Sequence, residues 1–155
     1  MNVMSVVYCL MTSALLVLSV IDWRTFEIPF GINVFLGILG IVAVVLDKGE
    51  WLNHVIGAVC VSGFLLLLYL LSKGRAIGGG DIKLMAACGL LLGWQKSILA
   101  FLLGCIVGSV IHLFRMQISK EGHVLAMGPY LAAGIFLAAL FGGQWIHWYL
   151  DALGI

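Results

Sequence analysis

Apolar residues run almost without interruption along this chain, and the polar ones gather in a few short breaks. Six apolar runs stand out: Val3–Ile21, Phe30–Leu46, Trp51–Leu71, Ile82–Trp94, Ser97–Phe114 and Gly128–Leu150. Between them lie "DWRTFEIP", "DKGE", "SKGRAIGGGD", "QK" and "RMQISKEGHVLAM". A bilayer-spanning helix needs about 20 mostly apolar residues, and five of the runs have that order of length. The pattern predicts an all-α polytopic membrane protein with about six transmembrane helices. No linker, repeat or low-complexity tract divides it, so residues 1–155 read as a single membrane-embedded domain. The fourth run is the exception. Its 13 residues would rise only about 20 Å as a helix against a hydrocarbon core about 30 Å thick. The glycine-rich stretch before it is therefore expected to border a cavity, because non-helical backbone at membrane depth survives only against protein or water.

Composition agrees. Of the 155 residues 63% are hydrophobic and 10% charged, where a soluble domain has about 45–50% and about 25%. The formal net charge of +1 excludes a basic nucleic-acid face as the main activity. The first run follows no basic segment and exceeds the ~7–15 apolar residues of a signal peptide, so it reads as a retained span. Cys9, Cys60, Cys88 and Cys105 all lie inside apolar runs and form no CxxC pair; they read as small buried hydrophobes. His54, His112, His123 and His147 lack metal-ligand spacing. Neither a metal nor another cofactor is expected.

Charge sets an expected orientation. The breaks after runs 1, 3 and 5, with the start of run 4, hold Arg24, Lys73, Arg75, Lys83, Arg115 and Lys120, against Lys48 and Lys96 in the others. Basic residues favour the cytoplasmic side, which places both termini outside. On that inner side stand Asp22, at the exit of run 1, and Asp81, at the head of run 4. Each has a plain structural reading: Asp22 as the mark of a helix leaving the bilayer, Asp81 as an N-cap. Ionisable groups near hydrocarbon are nevertheless costly and point to function, and two at one face do so more strongly. Carboxyl groups that meet across a wet crevice share a proton and titrate as one unit. One then draws a proton from water while the other donates to a scissile carbonyl, as in aspartic proteases. Gly78, Gly79 and Gly80 would let an extended substrate segment pair beside them, through positive φ or close approach; a flexible hinge is the plainer reading.

These residues also carry a family resemblance. "GGGDIKL" is similar to the G-x-G-D-x-K motif of type IV prepilin peptidases, a branch of the GxGD aspartyl proteases. "IDWRTFEIP" resembles their first motif, and "LAMGPYLAAG" their final-span segment. The three stretches stand in the family's order and, with six spans, cover nearly the whole chain. The resemblance implies removal of a short basic leader from prepilin-like precursors at the cytoplasmic face of the bacterial inner membrane. It makes Asp22 and Asp81 the catalytic pair and Gly78, Gly79, Gly80 and Lys83 substrate-side residues, with no metal or cofactor. Phe30 stands where the family usually has Asn, and Asn33 is the nearest amide. Without paired cysteines or an added N-terminal region, the chain is similar to the short peptidase-only branch that serves tight-adherence pili, and no methyltransferase activity is expected.

Glu27 and Glu121 carry the sign to attract a basic leader, and His123 stands in the loop before run 6. Trp94, Trp145, Trp148 and Tyr149 form an interfacial belt. Gly57 with Gly63, and Gly104 with Gly108, read as helix-packing pairs. The rival function is a small proton- or cation-coupled transporter or channel using the same aspartates, and a third is an inactive assembly partner. A transporter would more often show repeated halves with matching interrupted helices. Membrane lipid and prepilin-like substrates are the expected partners. Neither the client protein nor the oligomeric state is legible.

Overall fold

In a membrane a backbone must satisfy its own hydrogen bonds, and apolar runs of this length do so as helices. The computed structural model describes residues 2–75, 77–118 and 126–154, apart from the side chains of 115–118. These residues form six α-helices and no strand. They are α1 (Val3–Thr25), α2 (Phe30–Leu46), α3 (Trp51–Leu71), α4 (Gly79–Leu92), α5 (Trp94–Ile118) and α6 (Gly128–Leu153). Helices α1, α3, α5 and α6 are long and apolar enough to cross a membrane, and α2 is a shorter apolar helix. The chain is a multi-pass membrane protein.

Helix α4 organises the bundle. It packs against α2, α3, α5 and α6 and buries Leu84, Met85, Cys88, Leu91 and Leu92. Its 14 residues rise only about 21 Å, so a surrounding ring of helices replaces the lipid that it cannot span. Helix α1 packs against α2 and α6, and α5 lies along α6. Met11, Leu15 and Leu18 of α1, Leu36 of α2, and Leu131 and Ile135 of α6 complete the core. Large apolar side chains such as Leu16, Val59, Leu67 and Leu102 remain exposed, which suits a lipid-facing exterior.

Close helix seams come from glycine. A Cβ on Gly57 would run into the Gly89 carbonyl, and one on Gly89 into the Gly57 carbonyl, so α3 and α4 touch backbone to backbone. Gly104 and Gly108 of α5 lie against Leu131 and Tyr130 of α6. Gly63 departs from the expected pairing. A Cβ there would meet nothing nearer than Val59 of its own helix, because its face turns away from α4.

The break between α4 and α5 also differs from the expectation. "QK" lies inside α5, and the chain turns at Gly93, whose φ is 81°, a conformation that favours glycine. The Oδ1 of Asn53, on α3, accepts the Trp94 N–H at 3.1 Å and so caps α5 from another helix. Trp94 therefore opens α5 rather than ending α4. At the same end of the bundle His54 is buried; its Nδ1 donates to the Leu90 carbonyl at 2.9 Å, and its Nε2 lies 3.7 Å from Asp47 Oδ2.

Candidate active site

Two loops and three helix ends build one cavity at the opposite end of α4. It measures about 640 Å³ and is lined by Asp22 and Phe26 of the α1 end, Ile28 and Glu27 of the following turn, Gly74, Arg75 and residues 77–81, and Ala126 and Met127 before α6. Ligand sites commonly occupy about 300–1,000 Å³, enough for a stretch of extended peptide. Phe26, Glu27 and Arg75 at its edge are exposed.

Asp22 and Asp81 are the buried acids among the described residues, 4% and 8% exposed. Both line this cavity. Among the described residues, helices α1 and α4 do not pack against each other, yet each brings its aspartate to the same cavity. The two carboxylates therefore share one cavity wall without a packed α1–α4 seam between them.

Each aspartate is held by a backbone N–H. The Oδ2 of Asp22 accepts the Gly128 N–H at 3.0 Å, a contact that joins residues 106 apart in sequence. Gly128 is the first residue of α6, where N–H groups lack helical partners and the dipole favours negative charge. Asp81 is not the N-cap expected from sequence: Gly78 holds that position and α4 begins at Gly79. As the third residue of the helix, Asp81 turns its carboxylate back onto the Gly78 N–H, while its own N–H donates to the Gly78 carbonyl at 3.2 Å. This is the acid half of a capping box; Gly78 has no side chain to supply the other half, and its backbone carbonyl takes the Asp81 N–H instead.

The three glycines are needed for reasons that differ from residue to residue. None of them has positive φ, so the conformational freedom anticipated for them is not used; the chain winds them into the start of α4 instead. Gly80 permits a close approach, since a Cβ there would lie 2.9 Å from the Cβ of Ile28. A Cβ on Gly78 would lie 3.2 Å from Asp81 Oδ2. Gly79 faces open space, and a Cβ there would meet nothing within 4 Å.

Lys83 is placed elsewhere. Two residues on from Asp81 is a turn of about 200° around the helix, and the Lys83 ammonium sits 5.3 Å from the centre of the Phe30 ring. It lines a separate cleft with Phe30 and Asn33. Glu27 does line the aspartate cavity, whereas Glu121 and His123 lie outside the described residues. No cluster of three or more potential metal ligands occurs among the described residues. Sequence reasoning did not single out Gly128, Ile28 or Phe26 as site residues. A Gly-Pro pair at the start of the sixth run was a signal for the first, but its long-range partner was not.

Comparison with known proteins adds an independent line. Residues 9–113 match the type IV leader peptidase family, a span that includes both aspartates. The chain is 32% identical over 150 residues to a protein of Stutzerimonas stutzeri described as "Prepilin leader peptidase/N-methyltransferase", covering 92% of this chain and 52% of that one. It is 31% identical over 153 residues to the protein of that description from Pseudomonas aeruginosa, with 94% and 52% covered. For Aeromonas salmonicida the identity is 37% over 109 residues, or 65% of this chain and 37% of the relative. The chain thus spans about half the length, or less, of these curated relatives. No solved structure matches it. On the family match and the coverage of these relatives, this chain belongs to the type IV leader peptidase family.

Proposed function

We propose that this protein is a membrane aspartyl endopeptidase that removes the basic leader from prepilin-like precursors. The observation that carries the reading is the pair of buried carboxylates, Asp22 and Asp81, on one cavity open to exposed side chains. The family supplies the substrate class, and the names of the relatives describe leader peptidases.

The chemistry follows from the pair. One carboxylate, ionised, takes a proton from a water held between the two. The hydroxide adds to the scissile carbonyl carbon while the other carboxyl, protonated, gives its proton to the carbonyl oxygen. The tetrahedral intermediate then collapses: the carboxyl that took the water's proton gives it to the nitrogen, the C–N bond breaks and the amine leaves, and the other carboxylate recovers its proton from a gem-diol hydroxyl. First-turn N–H groups of α4, at Gly79 and Gly80, would donate to the carbonyls of an extended substrate segment, because peptide bonds inside a helix are shielded from attack. Gly79 has open space beside it for such an approach, and Glu27 at the cavity edge suits a basic leader. Gly128 keeps Asp22 oriented.

Arg75 on the cavity wall, with Arg24 and Lys73 next to cavity segments in sequence, supports a cavity that faces the cytoplasm of the inner membrane, with the termini on the far side. The activity is tested with purified protein and a prepilin-like substrate. Wild type should cleave, and Asp22→Asn and Asp81→Asn should each lose roughly 10²–10⁴-fold in rate. Chelators should have no effect. Cleavage that withstands both substitutions but stops with chelators would replace the dyad with a metal centre.

A further inference from the structure

A second cleft lies on the other side of α4. It has a volume of about 380 Å³ and runs between α2 and α3, which barely touch, so that α4 forms its floor. Lys83, Phe30 and Asn33 stand at one end, and Val34, Gly37 and Leu90 line its course toward the membrane middle. Asn33 is 6% exposed, and neither its amide nitrogen nor its amide oxygen has a hydrogen-bond partner among the described residues. A buried amide with no partner is costly, and in a native site it calls for a ligand or another explanation. Here it sits beside an ammonium and at the head of an apolar channel.

We infer that this cleft binds an anionic phospholipid, with the phosphate at Lys83 and Asn33 and one acyl chain along Gly37 and Leu90. The chemistry is specific at each point. The ammonium and the Asn33 Nδ2–H₂ donate to phosphate oxygens, and a headgroup hydroxyl such as that of phosphatidylglycerol donates to the Asn33 Oδ1. Basic pockets between transmembrane helices at the cytoplasmic side are known to take acidic headgroups. The lining favours a chain over a peptide: apart from Lys83 and Asn33 it consists of Phe30, Val34, Gly37, Leu90 and alanines, which offer a polar backbone no side-chain partners. The aspartate cavity is lined by a different set of residues, so this assignment does not depend on the peptidase reading.

Native mass spectrometry of the detergent-solubilised full chain tests it, with 16-carbon phosphatidylglycerol, phosphatidylcholine of the same chain length and inorganic phosphate as probes. Wild type should retain phosphatidylglycerol at least fivefold better than phosphatidylcholine, and inorganic phosphate should not displace it. Lys83→Gln and Asn33→Leu should each reduce that retention at least fivefold. Gly37→Phe keeps the head group partners but fills the channel, and a side chain there starts in open space; it should fold and lose the lipid as well. Equal retention of both lipids, retention unchanged in all three variants, or displacement by phosphate or by a prepilin-like substrate would overturn the assignment.

Discussion

A single methyl group separates an Asp22 held by the Gly128 N–H from a displaced one. A Cβ on Gly128 would lie 2.6 Å from its Oδ2 and 2.8 Å from its Cγ, too close for either to stay. Gly128→Ala should therefore push the carboxylate off the N–H that holds it. A misplacement of about 1 Å costs on the order of 10²-fold in rate, so cleavage should fall by about that factor while the helical circular dichroism stays as in wild type. Wild-type cleavage by Gly128→Ala would show that the contact is incidental. The glycine triplet offers a graded comparison. Gly80→Ala meets the Ile28 Cβ and should impair cleavage, and adding Ile28→Gly, which removes that Cβ, should restore part of the loss by making room. Gly79→Ala meets nothing and should fold normally. If a substrate backbone passes beside Gly79, that variant raises KM with little change in kcat; an unchanged KM would remove the proposed pairing. Phe26 adds a point of backbone tension, with φ at 55° on the cavity wall, in the left-handed region that costs most residues about 1–2 kcal/mol.

At the scale of helices, α4 decides the arrangement, because it carries Asp81 and is too short to be held by lipid. Its seam with α3 depends on Gly57 and Gly89. Alanine at either forces two backbones apart, and overpacking of this kind typically costs about 1–3 kcal/mol. Gly89→Ala should lower the unfolding midpoint in detergent and weaken cleavage with it, whereas Gly63→Ala, with an open flank, should leave both unchanged. Much of this layer was legible in the sequence. The apolar runs predicted α2 and α3 with the ends that the structure shows, Phe30–Leu46 and Trp51–Leu71. The errors lay where backbone conformation outweighs hydropathy. Three glycines before an aspartate look like a loop, yet Gly79 and Gly80 belong to α4 because Asp81 bonds back onto Gly78. "QK" looks like a polar link, yet Gly93 alone makes the turn, with Asn53 of another helix capping the next one. A contact made across 106 residues, as between Gly128 and Asp22, leaves no periodic trace. Lys83 shows the converse limit: its nearness to Asp81 in sequence says nothing of a helix face that points to Phe30.

For the whole molecule, the bundle keeps two polar sites apart along one helix. The aspartate cavity lies at the start of α4, and the His54–Leu90 contact lies near its end. The proposed orientation puts the first of these inside and Trp148 and Tyr149 near the outer surface. A phosphatase fused after Gly154 should then be active in intact cells, and one fused in the turn after Lys73 should not; the reverse pattern would place the dyad on the wrong side for a cytoplasmic leader. The account as a whole rests on Asp22 and Asp81 acting as one catalytic unit. Residues that act as a unit are strongly non-additive when removed. The most direct test is kcat/KM on a prepilin-like substrate for Asp22→Asn, Asp81→Asn and the double variant. A shared mechanism predicts that each single substitution falls to the same floor as the double; losses that add, or substantial cleavage left in either single variant, would contradict it.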